Sequence, residues 1–175
     1  MIPRLETRRL LLRPVEQADA IATANIMDRH VARYLLSWPA DLSVEDCRIR
    51  IKAARKALSD REDVAFAISN KEDGRLMGWI SLARNPADPA RARLGYWISA
   101  ADEGRGYMKE AVAAFLSVAA SYLQISIVDA SAHADNPASI AILKRQGFTF
   151  ERTEQVRFPA SGAEESVEVY QKTLS

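Results

Sequence analysis

The sequence has almost no cysteine, little histidine and almost no net charge, and each shortage removes a class of function. Cys47 is the single cysteine, so no disulfide can close within the chain, and a reducing compartment is the expected setting. At a helical position a lone cysteine is a small packing residue, and no histidine is placed to activate it, so a cysteine nucleophile is discarded. His30 and His133 are the only histidines, and with one thiol they make no metal site. The formal net charge is +1 over 175 residues, where a nucleic-acid-binding chain would show a basic excess or stripe. Arg8, Arg9 and Arg13, and later Arg48, Lys52, Arg55 and Lys56, lie among acidic or apolar neighbours and read as solvated faces of a strand and a helix. No apolar run approaches a membrane span, and Met1–Arg13 carries arginines and only a three-leucine run, unlike a secretory leader. The expectation is a cytoplasmic protein that binds neither metal, nucleic acid nor membrane.

What is present is ordinary globular composition, 48% hydrophobic and 27% charged, in a chain long enough for one domain, 1–175, with a sizeable core. The hydrophobic pattern predicts a strand over Leu10–Arg13 closed by Pro14 and a helix from Gln17 to about Met27 whose apolar positions include Ala18, Ile21 and Ala22. Tyr34 to Asp41 reads as a loop carrying Trp38-Pro39. Ser43 caps a helix over Val44–Ser59, with Ile49, Ile51, Ala54 and Leu58 as its apolar positions. Val64–Ile68 and Leu76–Ala83 read as strands joined by an Asp-Gly turn. Asn85–Pro89 reads as a loop before a strand over Arg93–Ser99, with Leu94, Tyr96 and Ile98 on one face and Gly95, Trp97 and Ser99 on the other. A strong helix over Tyr107–Tyr122 follows, then a strand over Ile125–Ala132. A helix capped by Asn136, with Pro137 in its first turn, stops at Gly147. A hairpin of Phe148–Phe158 and Glu165–Leu174 ends the pattern, which as a whole predicts a mixed α/β sheet.

The segment Glu103-Gly104-Arg105-Gly106-Tyr107-Met108 carries the first chemical signal. Two glycines bracket an arginine ahead of a long helix. Glycine lets the backbone turn tightly and lets phosphate oxygens approach N–H groups, and the helix start adds free donors and the positive end of its dipole. Arg105 or Lys109 can add charge. A dinucleotide fingerprint would need a third glycine where Lys109 stands, and no Gly-Lys-Ser/Thr of a P-loop is present. By itself the segment is an anion cradle or a plain glycine turn. Downstream, Asp135-Asn136-Pro137-Ala138-Ser139 and then Gly147-Phe148 read as a cap, a helix stop and a core residue.

Taken together, the glycine cradle, the Asn-x-x-Ser and the Gly-Phe resemble the GNAT acetyltransferases. Leu5-Glu6-Thr7-Arg8-Arg9-Leu10-Leu11-Leu12-Arg13-Pro14 and Gly95-Tyr96-Trp97-Ile98 are similar to the RimJ/RimL branch of that family, from about Leu5 to Leu174. The resemblance implies the GNAT acyl-CoA N-acyltransferase fold, a predominantly antiparallel sheet with one splayed strand pair and flanking helices. It implies acetyl-CoA as co-substrate, with Gly104, Arg105, Gly106, Tyr107, Met108 and Lys109 around its pyrophosphate. It implies pantetheine between the splayed strands, with Trp97, Ile98, Asn136 and Ser139 against it. The family loop, Arg/Gln-x-x-Gly-x-Gly/Ala, has Glu103 and Met108 here at its first and last positions. A tyrosine general acid used by many relatives is replaced by Leu143, and Ser139 matches the serine of the RimL-like branch, as proton donor or orienter of the thiol.

Acetyl transfer needs a neutral amine, a polarised carbonyl and a proton for the departing thiolate. His133 is the better of the two histidines as a base, beside water-mediated deprotonation through a carboxylate. Tyr34 and Trp38 are the candidates for lining an acceptor pocket. The acceptor implied is a primary amine, either a protein N-terminus or a small molecule, and similar enzymes are commonly homodimers. A coenzyme A-binding sensor that has lost catalysis, and a structural domain without cofactor, are the competing readings.

Overall fold

In a computed structural model describing residues 1–175, every strand joins one eight-stranded sheet in the order β1-β2-β3-β4-β5-β6-β8-β7. The strands are β1 (Leu5–Glu6), β2 (Leu10–Pro14), β3 (Asp63–Asn70), β4 (Leu76–Asn85), β5 (Asp88–Ile98), β6 (Ile127–His133), β7 (Thr149–Arg157) and β8 (Glu164–Thr173). The helices are α1 (Ala20–Ile26), α2 (Arg29–Ala32), α3 (Val44–Ser59), α4 (Tyr107–Leu123) and α5 (Pro137–Arg145). All neighbouring strands are antiparallel except β5 and β6, which run parallel because α4 crosses over between them. No helix is long and apolar enough to cross a membrane.

Alternation along the central strands divides the apolar residues between two cores. Val64, Phe66 and Ile68 of β3 and Leu94 of β5 face α4, where Met108, Val112, Phe115, Leu116 and Leu123 complete the larger cluster. Ala65 and Ala67 of β3 and Trp97 of β5 face the other way, onto α1 and α3. A bulge between β3 and β4 resets this alternation, so that Met77 joins the first core while Leu76 and Trp79 join the second.

Several predicted elements shift. The Gln17–Met27 helix opens as a 3-10 turn, Gln17–Asp19, because the Asp19 carboxylate is taken by the Arg13 guanidinium (2.8 and 2.9 Å) and by the Glu16 N–H (2.8 Å). Its buried face is Ala20 and Thr23, and Ile21 is 57% exposed. In α3 the buried line runs through Cys47 and Ile51, while Ile49 is 61% exposed. Cys47 is a packing residue whose thiol burial pushes up in pKa. The expected loop Asn85–Pro89 is a tight hairpin turn closed by an Asn85 side chain bond to the Ala87 N–H (2.9 Å), so β5 begins five residues before Arg93, at Asp88. The short β1 and α2 carry too few residues to show a period.

Candidate active site

The parallel pairing of β5 with β6 runs from Arg91 opposite Ile127 to Leu94 opposite Ala130 and then stops. Beyond it the strands separate. Ser99 donates its N–H to the Met77 carbonyl of β4 (2.7 Å), so odd residues of this stretch bond to β4. Alternation then turns the backbone N–H groups of Tyr96 and Ile98 into the gap. Of the two residues expected against pantetheine, Ile98 therefore offers its backbone N–H to the gap as a donor for a carbonyl, and the Trp97 backbone is committed to the sheet. β4 holds β5 here by close approach. A Cβ on Gly78 would lie 2.1 Å from the Trp97 carbonyl oxygen and 2.9 Å from the Ile98 Cα, which leaves glycine alone at that place.

A cavity of about 890 Å³ occupies the gap and spreads to both faces of the sheet. On the α4 side its wall is the cradle. Gly106, at φ +79°, is the N-cap of α4, and Gly104 has φ +72°, a left-handed backbone that L side chains avoid. The first helical bond is donated by Glu110 to the Gly106 carbonyl (3.2 Å), which leaves the N–H groups from Gly104 to Lys109 without protein acceptors. They make a fixed row of donors at the positive end of α4, an arrangement suited to an anion. Gly104, Gly106, Tyr107, Met108 and Lys109 line the cavity, and Arg105 does not.

Both ends of the cradle are anchored by ion pairs. Asp102, 2% exposed, receives two bonds from Arg75 (2.8 and 2.9 Å) and one from the Ser99 hydroxyl. Those bonds, that of Arg75 first, hold its carboxyl below the usual carboxylate range. At the other end Arg9 donates to the Arg105 carbonyl (2.9 Å), pairs with Glu110 (2.8 Å) and lies 4.3 Å above the Tyr107 ring. Arg9 is thus part of the cradle's scaffold and not merely a solvated face.

The two departures from the family loop have local explanations. Glu103 turns to α2, with its carboxylate 2.8 Å from His30 Nε2 and 3.6 Å from Arg33 Nη1, so its charge is compensated. Met108 is 7% exposed and packs into the larger core while it also lines the cavity. Leu143 is fully buried. Where it supplies no hydroxyl, β5 does: the Tyr96 hydroxyl is 2.7 Å from Ser139 Oγ, on the first turn of α5. Asn136 caps that turn, its Oδ1 accepting from the Ser139 N–H (3.2 Å). Burial pushes the Tyr96 phenol up to about 12 against the opposing Ser139 bond, so it stays a protonated donor at neutral pH.

The opposite face of the sheet is aromatic. Trp38 is wedged edge-on between Trp79 (5.0 Å) and Trp97 (5.2 Å), with the Arg50 guanidinium 4.1 Å from its ring. Tyr34 donates to the Asp135 carbonyl (3.1 Å) and stacks at 4.6 Å on His133. His133 is 5% exposed. Its Nδ1 accepts from the Asp135 N–H (3.0 Å), which places the proton of the neutral ring on Nε2. Nε2 makes no hydrogen bond and lies 3.5 Å from Glu165 Oε1. A base at this position would first have to give up the Asp135 bond, so the ring is presented as a donor.

All the residues expected at a site, Arg105 excepted, line this one cavity. Tyr96, Arg9 and Gly78 were not singled out in the sequence for what they do here. A glycine inside a strand pattern was the available signal for Gly78. Arg9 and Glu110, 101 residues apart, offered none.

The family model described as "Acetyltransferase (GNAT) domain" matches residues 9–149. The chain is 28% identical over 149 residues to the uncharacterized N-acetyltransferase YoaA of Bacillus subtilis, covering 85% of this chain and 84% of that one. In fold it is similar to the RimL ribosomal L7/L12 alpha-N-protein acetyltransferase in complex with coenzyme A (TM-score 0.84, 21% identity, 98% of each chain). It is equally similar to the ribosomal-protein-S5-alanine acetyltransferase of Vibrio fischeri (TM-score 0.86, 19% identity, 98% of this chain and 96% of that one).

Proposed function

This chain belongs to the GNAT acetyltransferase family, and we propose that it moves the acetyl group of acetyl-CoA directly onto a primary amine bound on the tryptophan side of the β5–β6 gap. One observation carries the reading: a single cavity joins the unpaired N–H row of Gly104 to Lys109 with the gap-facing N–H groups of Tyr96 and Ile98. The first set suits a pyrophosphate and the second a pantetheine arm and a thioester carbonyl. The departures at Glu103, Met108 and Leu143 do not by themselves favour a sensor, since Glu103 is paired with His30 and Arg33, Met108 packs into the core, and a phenol reaches the site from Tyr96.

In this reading the neutral amine forms the new C–N bond as the C–S bond breaks, the nitrogen loses one proton and the thiolate gains one. Ile98 N–H stabilises the charge that develops on the carbonyl oxygen. Ser139 and Tyr96 form a hydroxyl pair beside the leaving sulfur, Ser139 orienting it and Tyr96 donating to it. A phenol at about 12 is a weaker acid than an ordinary thiol, about 8.5, so the pair stabilises the thiolate and the proton released by the amine completes the exchange. His133, with its proton on Nε2, orients the acceptor and water carries the amine's proton away. The acceptors suited to a cavity of about 890 Å³ are protein N-terminal amines and small-molecule amines. Thiol release across a panel of such amines, with acetyl-CoA affinity measured by calorimetry, tests the reading. Tight binding with no amine releasing thiol would sink it in favour of a sensor, and no binding at high micromolar concentration would sink the cradle as well.

A further inference from the structure

Resting on the acetyltransferase reading, we propose that the acceptor carries a carboxylate close to its amine and that Arg93 binds it, with Trp97 and His133 as the flanking donors. Only two buried side-chain polar atoms in the molecule lack a hydrogen-bond partner, Trp97 Nε1 and His133 Nε2. Each belongs to a residue only 5% exposed, and both residues line the same cavity. Native structures rarely leave such groups unpaired. Both are donors: the indole has no other role, and the Asp135 bond keeps the imidazole proton on Nε2.

Arg93 lines the same cavity and makes no ion pair or hydrogen bond, unlike Arg13, Arg84 and Arg91 of the same sheet. Its neighbours in register are Ala83 on β4 and Asp129 on β6, and Asp129 is engaged by Arg91 Nη1 (2.8 and 3.0 Å). Arg93, Gly95 and Trp97 point to one face of β5. Gly95 has no side chain, and a Cβ there would touch only Ser81 Oγ, at 3.4 Å. The glycine is therefore not demanded by packing. It leaves a shelf between a free guanidinium and the indole.

The wall of this half holds donors in excess of acceptors. Glu103 is bound by His30 and Arg33, and Asp102 by Arg75 and Ser99. Glu165, 3.5 Å from His133 Nε2, is the one carboxylate left near an orphan donor, and it is not part of the cavity wall. Arg93 is exposed and its guanidinium is met by water, but an acceptor that brought only an amine would leave the two buried donors, Trp97 Nε1 and His133 Nε2, unmet. A planar carboxylate accepts two bonds from a guanidinium and has lone pairs left for neutral donors.

The test uses matched amines on the whole enzyme, read by thiol release: alanine against alaninamide, β-alanine against propylamine, and a tripeptide with an acidic second residue against its neutral counterpart. The first two pairs report a free amino acid as the source of the carboxylate and the third a peptide. The carboxylate partner of at least one pair should be favoured by about tenfold or more in kcat/KM. Arg93→Met should raise KM for that partner by about tenfold, Arg93→Lys should recover part of the loss, and acetyl-CoA affinity should report that the fold is intact. Calorimetric binding of the same compounds in the presence of coenzyme A reads the subsite without turnover. Equal use and equal binding of both partners in every pair, or an Arg93→Met KM unchanged, would overturn the proposal, as would a preference for phosphoethanolamine over all carboxylates. Retained carboxylate binding with no thiol release would overturn the acetyltransferase reading alone.

Discussion

The two halves of the cavity are built from different materials. On the α4 side the contacts on offer are backbone N–H groups, from Gly104 to Lys109 and at Tyr96 and Ile98, held by glycine conformation and by strand alternation. On the other side they are side chains drawn from four segments: Tyr34 and Trp38, Trp79, Arg93 and Trp97, and His133. A backbone-built half tolerates changes of side chain, as Glu103 and Met108 show by departing from the family loop while leaving its donors in place. A side-chain-built half changes its ligand with each substitution. In the proposed reading the first half takes the cofactor and the second the acceptor.

The sharpest way to break this contrast is at the backbone half. Gly106→Trp places a bulky side chain at a φ of +79° where the α4 donors open, and acetyl-CoA affinity should fall by more than about a hundredfold by calorimetry. Unchanged affinity would show that the anion sits elsewhere. Gly78→Ala puts a Cβ 2.1 Å from the Trp97 carbonyl oxygen, and stability in urea should drop by about 3 kcal/mol as β4 and β5 are forced apart. A variant as stable as the parent would mean that the strand approach is not rigid.

Tyr96→Phe separates chemistry from binding. It removes the hydroxyl next to Ser139, and kcat should fall by about tenfold with acetyl-CoA affinity nearly kept, less than a full general acid would cost because Ser139 remains. Adding Ser139→Ala should cost less than it does alone, since the two hydroxyls act as one unit. Strictly additive losses would dissolve the pair.

The smallest expected effect concerns pH. Asp102 is held below the ordinary carboxylate range by bonds from Arg75, and Glu110 is held below it, despite opposing burial, by Thr7 and Arg9. A carboxylate whose folded pKa is depressed stabilises the fold above its unfolded pKa, about 4. That stability is lost as pH falls below 4 through the folded values. Thermal unfolding followed from about pH 6 to about pH 2, on either side of the ordinary carboxylate range, should show a steeper acid loss for the parent than for Arg75→Met. Parallel curves would remove Asp102 from the anchor of the cradle.

What could be read in the chain was what is local. The cradle, α4, the Asn136 cap and the Gly147 stop each depend on a few adjacent residues, and they appear where glycine, cap and period place them. The buried face of α1 moved to Ala20 and Thr23, and on α3 Ile49 was left outside a covered line of Cys47, Ile51, Ala54 and Leu58, because packing against the sheet, and not apolar size, decides which side is covered. The start of β5 was hidden because Asn85-Pro86-Ala87 gives the same turn chemistry to a loop and to a hairpin. Tyr96 and Ser139 are 43 residues apart and Arg9 and Glu110 101 apart, and no local rule pairs them.

By itself, then, the amino-acid order determined that a left-handed glycine would open α4, that α4 would make β5 and β6 parallel, and that the chain would carry the GNAT pattern. Those depend on backbone freedom, helix caps and crossover length, which act within tens of residues. The tertiary structure alone decided that Glu103 is held by His30 and Arg33, that Tyr96 meets Ser139, and that Arg93, Trp97 and His133 face one cavity with no acceptor of their own. Those depend on which strands stop pairing after Leu94 and Ala130, and the point where two strands part is set by the packing on both faces of the sheet.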